Sequence, residues 1–172
     1  MHMPYKPVGL YTVLGNKFMN GKIIESRSKY GLWLKTYFEV KKIIVDKNCQ
    51  RLAVIFAADQ CPRYAQKPYW VQFLNQETPV QFGAEKFARD NNTPVVYGVI
   101  NRLKRGYYEI EYKLICEDPN ELPFGEITEM HTQLLEDNIN REPAYWLWSH
   151  KRWKRPKGEY ERREKVKLES IV

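Results

Sequence analysis

Leu52, Ala53, Val54, Ile55, Phe56, Ala57 and Ala58 form an unbroken apolar run that stops at Asp59. The run is too short to span a membrane, which takes about 20 apolar residues, but it fits a strand. Unbroken rather than alternating polarity means that both strand faces are covered, as at the centre of an α/β sheet. Neighbouring segments must then supply helices for both faces and strands for both edges.

The flanking sequence offers both. A strand is predicted over residues 8–14, a helix over 16–30 with Gly31 as its stop, and a brief strand at Trp33 and Leu34. Val40, Ile43 and Ile44 recur at helical spacing within 37–47. After Asp59, residues 61–77 read as a polar, aromatic loop. Thr78, Pro79 and Gln81 then resemble a capped helix start, with the helix continuing to about Asn91. Residues 94–103 form the next strand, and Lys104, Arg105 and Gly106 a turn. Tyr108, Ile110, Tyr112 and Leu114 then alternate with Glu109, Glu111 and Lys113, as in a half-exposed antiparallel partner. Residues 126–140 are amphipathic, with Ile127, Met130, Leu134, Leu135 and Ile139 on one side. The order β-α-β-α-β-α-β-β-α is that of an α/β domain with a mixed sheet flanked by helices. In such sheets ligands gather beyond the carboxyl ends of the strands, which points to Asp59 and to Asn16.

The 172 residues suffice for one domain. Residues 1–6 lack the charged-then-apolar layout of a signal peptide. Cys49, Cys61 and Cys116 form no CxxC pair, and with histidines at 2, 131 and 150 alone a Cys/His metal site has too few ligands. No metal or other cofactor is expected. Of the net charge of +7, residues 151–172 carry +5. The basic character thus belongs to the end of the chain, where it suits anionic lipid or nucleic acid. Residues 156–172 read as a charged tail, either a solvated helix or disordered.

Four blocks occur in order: Ala57 to Pro62; Trp70, Val71, Gln72, Phe73 and Leu74; Thr78 to Lys86; and Glu142 to Lys154, which contains Tyr145, Trp146, Leu147, Trp148, His150, Lys151, Arg152 and Trp153. Together they resemble the lipid A biosynthesis (late) acyltransferases in their Bacteroides-like form, over about residues 4–155. The resemblance implies a glycerolipid-acyltransferase-like α/β fold, with 1–155 as a partial acyltransferase domain. It implies transfer of a fatty acyl group from acyl carrier protein or coenzyme A to a hydroxyl of a lipid A precursor. The setting would be the cytoplasmic face of the bacterial inner membrane, in lipopolysaccharide synthesis.

The family's chemistry rests on a His-x-x-x-x-Asp/Glu motif, whose His is the general base and whose carboxylate orients it. That motif lies upstream of the region matching residues 8–16, so the chain resembles the family's C-terminal portion. It is read as N-terminally truncated and, without the dyad, inactive alone. His2 is followed at the fifth place by Pro7, which cannot serve. His131 and Glu136 fit the written motif, but five steps along one helix separate their side chains by roughly 140°. The pair is rejected as the dyad.

Asp59 is the leading candidate for acceptor positioning, with a loop cap as the alternative. Gln60 and Arg63 are its companions, and Asn16 is either an acceptor contact or a helix cap. Family members often carry arginine where Thr12 stands, which is a departure here. Gly83 and Ala84 suit close helix packing. Trp70, Phe73 and Leu74 could line an acyl channel or be plain core. Trp146, Trp148, Trp153, Lys151, Arg152, Lys154 and Arg155 mix indoles with cations, as at an anionic membrane interface. The same mixture suits a nucleic-acid-binding module, and a non-catalytic interaction domain is a further alternative. Concentration of the basic residues at one end, rather than over a sheet face, favours lipid over nucleic acid.

Overall fold

The computed structural model describes residues 4–45, 51–64 and 67–169, arranged as two compact units that divide between Ala57 and Ala58. His2 and Cys49 lie outside the described residues.

In the first unit, β1 (Lys6–Leu10), α1 (Lys17–Ser28), β2 (Trp33–Lys35), α2 (Tyr37–Val45) and β3 (Leu52–Ile55) alternate. All three strands are parallel, in the order β2-β1-β3. The central strand is therefore β1, with Val8 fully buried. The Leu52 run takes an outer position, and its Ile55 is 51% exposed. Unbroken apolar sequence pointed to the sheet centre, but β1 pairs on both sides and takes that place. Asn16 caps α1, its Oδ1 accepting the Met19 N–H at 3.0 Å. Residues 11–14 leave the strand early, and α1 buries none of its residues.

The second unit opens with a hairpin of β4 (Tyr69–Phe73) and β5 (Gln76–Val80). This corrects two expectations at once: residues 61–77 are not all loop, and Thr78 does not cap a helix. Leu74 and Asn75 both take positive φ, the conformation of a two-residue hairpin turn. Pairing across that turn buries Thr78, Pro79 and Val80, more than a single cap hydrogen bond could offset. Helix α3 (Gly83–Asn91) starts later, without a side-chain cap.

Next come β6 (Val95–Lys104) and β7 (Tyr107–Cys116), a long antiparallel hairpin turned by Arg105 and Gly106. Helix α4 (Glu126–Arg141) follows, then a 3-10 turn at Pro143–Tyr145 and α5 (Lys157–Glu169). Parallel and antiparallel pairs both occur in this α/β chain, but in three separate sheets. The buried face of α4 carries Ile127, Thr128, His131, Thr132 and Ile139, whereas Met130 is exposed. Helix α5 is anchored, since Tyr160 is buried and its hydroxyl donates to Pro62 O at 2.7 Å.

Glu85 explains why α3 and α4 meet as they do. It is fully buried, and its carboxylate accepts the Gly125 and Thr128 N–H groups at 2.7 and 2.9 Å and the Thr128 hydroxyl at 2.6 Å. These amides form the uncapped first turn of α4, where a negative charge also meets the helix dipole. Gly125 sits at φ +95°, and a Cβ there would strike the Tyr69 ring. Arg89, one turn along α3, donates to Glu85 and to the carbonyls of Pro119, Leu122 and Pro123. Burial pushes the Glu85 carboxyl up, but hydrogen bonds from Thr128, Gly125 and Arg89 outweigh it and hold the group below 4.5. A folded value below the unfolded one gives stability that is present above pH 4.5 and is lost as pH falls through the folded value. Glu85→Gln should therefore cost about 3–5 kcal/mol at neutral pH and flatten the acid limb of stability. Urea melts between pH 3 and 7 check both.

Candidate functional site

The loop from Asp59 to Tyr64 and the block from His150 to Arg155 come together in the second unit, although about 90 residues separate them in sequence. Hydrogen bonds join them and tie the block to β5. His150 Nε2 accepts the Cys61 N–H at 3.1 Å. Arg155 donates to Pro62 O, Arg152 Nη2 to Pro79 O at 2.7 Å, and the Trp153 indole N–H to Thr78 Oγ1 at 2.7 Å. Cys61 is buried, its sulfur 3.8 Å from the Tyr160 hydroxyl. Burial and then the Cys61 contact push that hydroxyl up to about 12.

Asp59 lies on this clamped loop, half-buried and close enough for its charge to reach three neighbours. It favours protonation of His150 and Arg152 and adds to the burial that raises Tyr97. For His150, desolvation first and then repulsion from Lys154, Arg152 and Arg155 outweigh Asp59 and keep the imidazole below 6.5. A neutral ring with Nε2 as acceptor carries its proton on Nδ1. Arg152 is 3% exposed, stacks over Phe73 at 5.8 Å, and leaves Nε and Nη1 without a hydrogen-bond partner.

The other sequence candidates scatter. Gln60 and Arg63 are exposed on the Asp59 loop. Asn16 belongs to the first unit and spends its side chain on its own helix. Trp70 lines a groove of about 350 Å³ with Glu129, Thr132 and Gln133. Phe73 is buried beneath Arg152 and edge-on to Trp146, and Leu74 sits in the hairpin turn, so these three line no common channel. Of the aromatic-basic block, Trp148, Lys151 and Lys154 are exposed, Trp146 is half-buried, and Arg152, Trp153 and Arg155 turn inward. His131 and Glu136 both lie on α4. His131 is buried with Nε2 unpartnered, and no candidate dyad forms through that atom.

A family model described as bacterial lipid A biosynthesis acyltransferase matches residues 1–155. The chain belongs to that family. No curated protein matches it. Family membership gives acyl transfer in lipid A synthesis as the general activity, with an acyl donor and a lipid A acceptor as its substrates. Among the described residues no helix is long and apolar enough to cross a membrane, and no His/Cys/Asp/Glu group is arranged to hold a metal ion.

His150, Cys61 and Tyr160 escaped the sequence reading as a group because the contacts that unite them are long-range. His131 gives a direct test of its structural role. Burial depresses it below 6.5, so the unfolded chain protonates first and stability falls as pH drops below 6.5. His131→Leu should be neutral or stabilising at pH 8 and should remove most of that slope between pH 7 and 5.5, leaving the share of His150. Thermal melts across that range measure it.

Proposed function

We propose that this chain forms the acceptor side of a fatty acyltransferase, working at the cytoplasmic face of the bacterial inner membrane. The acyl group moves from an acyl carrier protein or coenzyme A thioester to a hydroxyl of a lipid A precursor. The hydroxyl oxygen attacks the thioester carbonyl, its proton passes to a general base, the C–S bond breaks and the thiol leaves. The observation that supports this reading most is the clamping of the loop after Asp59 by His150 and Arg155, within a chain of this family. Asp59 accepts hydrogen bonds from the acceptor sugar, and the surrounding cations draw in its anionic groups.

The base comes from outside these residues. His131 is buried and unpaired at Nε2, and His150 Nε2 is committed to the Cys61 amide. The chain alone is therefore inactive. Trp148, Lys151 and Lys154, the exposed remainder of the aromatic-basic block, meet anionic lipid. A nucleic-acid module would need Arg152 and Arg155 on its surface, yet both are spent on Pro79 and Pro62 carbonyls.

Mass spectrometry of ester product, from acyl carrier protein thioester and a lipid A precursor, tests this reading. The chain alone should give none. A polypeptide supplying the His-x-x-x-x-Asp/Glu segment should restore transfer, and Asp59→Asn should lower the restored rate by about 10²-fold, or roughly 3 kcal/mol. Turnover by the chain alone would overturn the external base. Restored transfer that ignores Asp59→Asn would overturn the acceptor site.

A further inference from the structure

One face of the β6–β7 hairpin carries a row of exposed apolar and aromatic side chains. Cross-strand pairs Val96 with Leu114, Gly98 with Tyr112, Ile100 with Ile110 and Arg102 with Tyr108 all share one face. The six large apolar and aromatic side chains among them are each more than half exposed. A row of exposed apolar side chains of this kind marks a binding surface. Its charge is one-sided. Among these four pairs Arg102 is the one charged side chain, while Glu109 and Glu111 pair with Asn101 and Val99 on the opposite face.

At the Arg102 end the face runs into a groove of about 560 Å³, closed by Ile139, Tyr145 and Trp146. Arg102 Nη1 donates to the Tyr145 hydroxyl at 2.6 Å, which leaves the phenol proton and the remaining guanidinium N–H groups for a guest. Glu142 also lines the groove, and repulsion from its carboxylate favours an anionic guest group at Arg102 and Tyr145 instead. Gly98 leaves a trough in mid-face, where a Cβ would be 3.7 Å from Ile110 and Tyr112. Six residue steps of strand from Arg102 to Val96 make a track of about 20 Å, a length suited to a long alkyl chain.

We propose that this track binds an anionic single-chain amphiphile, with its head on Arg102 and Tyr145 and its hydrocarbon chain over Ile100, Gly98 and Val96. The proposal deepens the acyl-transfer reading, on which it rests for the fatty character of the guest.

Trp146 provides the readout. A dibrominated long-chain fatty acid, kept below its micelle concentration, should quench the full chain's fluorescence saturably, and Trp146→Phe should remove most of that quenching. Arg102→Met and Gly98→Leu should each weaken binding about tenfold, with the melting temperature held within a few degrees. The methyl ester should bind the wild type and Arg102→Met alike. Non-saturable quenching, or affinity unchanged in both variants, would overturn the track. So would a concentration-dependent dimer that Gly98→Leu abolishes, without fatty-acid binding. Quenching needs no turnover: saturable binding without restored transfer would sink the acyl-transfer reading alone, and transfer without quenching would sink the track alone.

Discussion

A buried carboxylate holds the second unit together. Glu85 replaces the missing cap of α4, and through Arg89 it also fixes the turn that leads into that helix. An unpaired charge at that depth would be strongly unfavourable. Here five donors from three residues surround it, so the site is satisfied only when α3, residues 119–125 and α4 are all in place. With α4 set, its Ile127 meets Ile115 and Cys116 of β7 in the core. The groove beside Arg102 exists because the C-terminal end of the same helix reaches it.

A second constraint acts on the loop after Asp59. That loop has no regular structure of its own, and a free loop would leave its carbonyls to water. Instead Arg155 and Tyr160 serve Pro62, and His150 serves Cys61. The price is one buried cationic side chain, Arg152, which keeps unsatisfied N–H groups. Residues that composition assigns to a basic tail thus act as an internal clamp, and what they hold in place is the best acceptor-site candidate.

Local signals in the sequence were legible. Asn16 as a cap, Gly31 and Gly106 at positive φ, and the extent of α4 follow from spacing and side-chain chemistry alone. Where two local readings competed, the structure took the one with long-range support. Thr78 and Pro79 could have opened a helix, but β4 was available to pair with them, and Trp153 finds the Thr78 hydroxyl. Charge position was legible and charge orientation was not: Arg152 and Lys151 are neighbours, one buried and one exposed. Glu85 and Arg89 stand four apart, the signature of a surface ion pair, and nothing local distinguishes them from Lys86 and Asp90, which are one.

The central claim is that the clamped Asp59 loop receives the acceptor. Calorimetric titration of a phosphorylated lipid A precursor into the chain, with Asp59→Asn and Arg152→Lys alongside, tests it most directly. The account predicts binding by the wild type and at least a tenfold loss in Asp59→Asn, about 1.4 kcal/mol, with an unchanged melting temperature. Equal affinity in the wild type and both variants would contradict it.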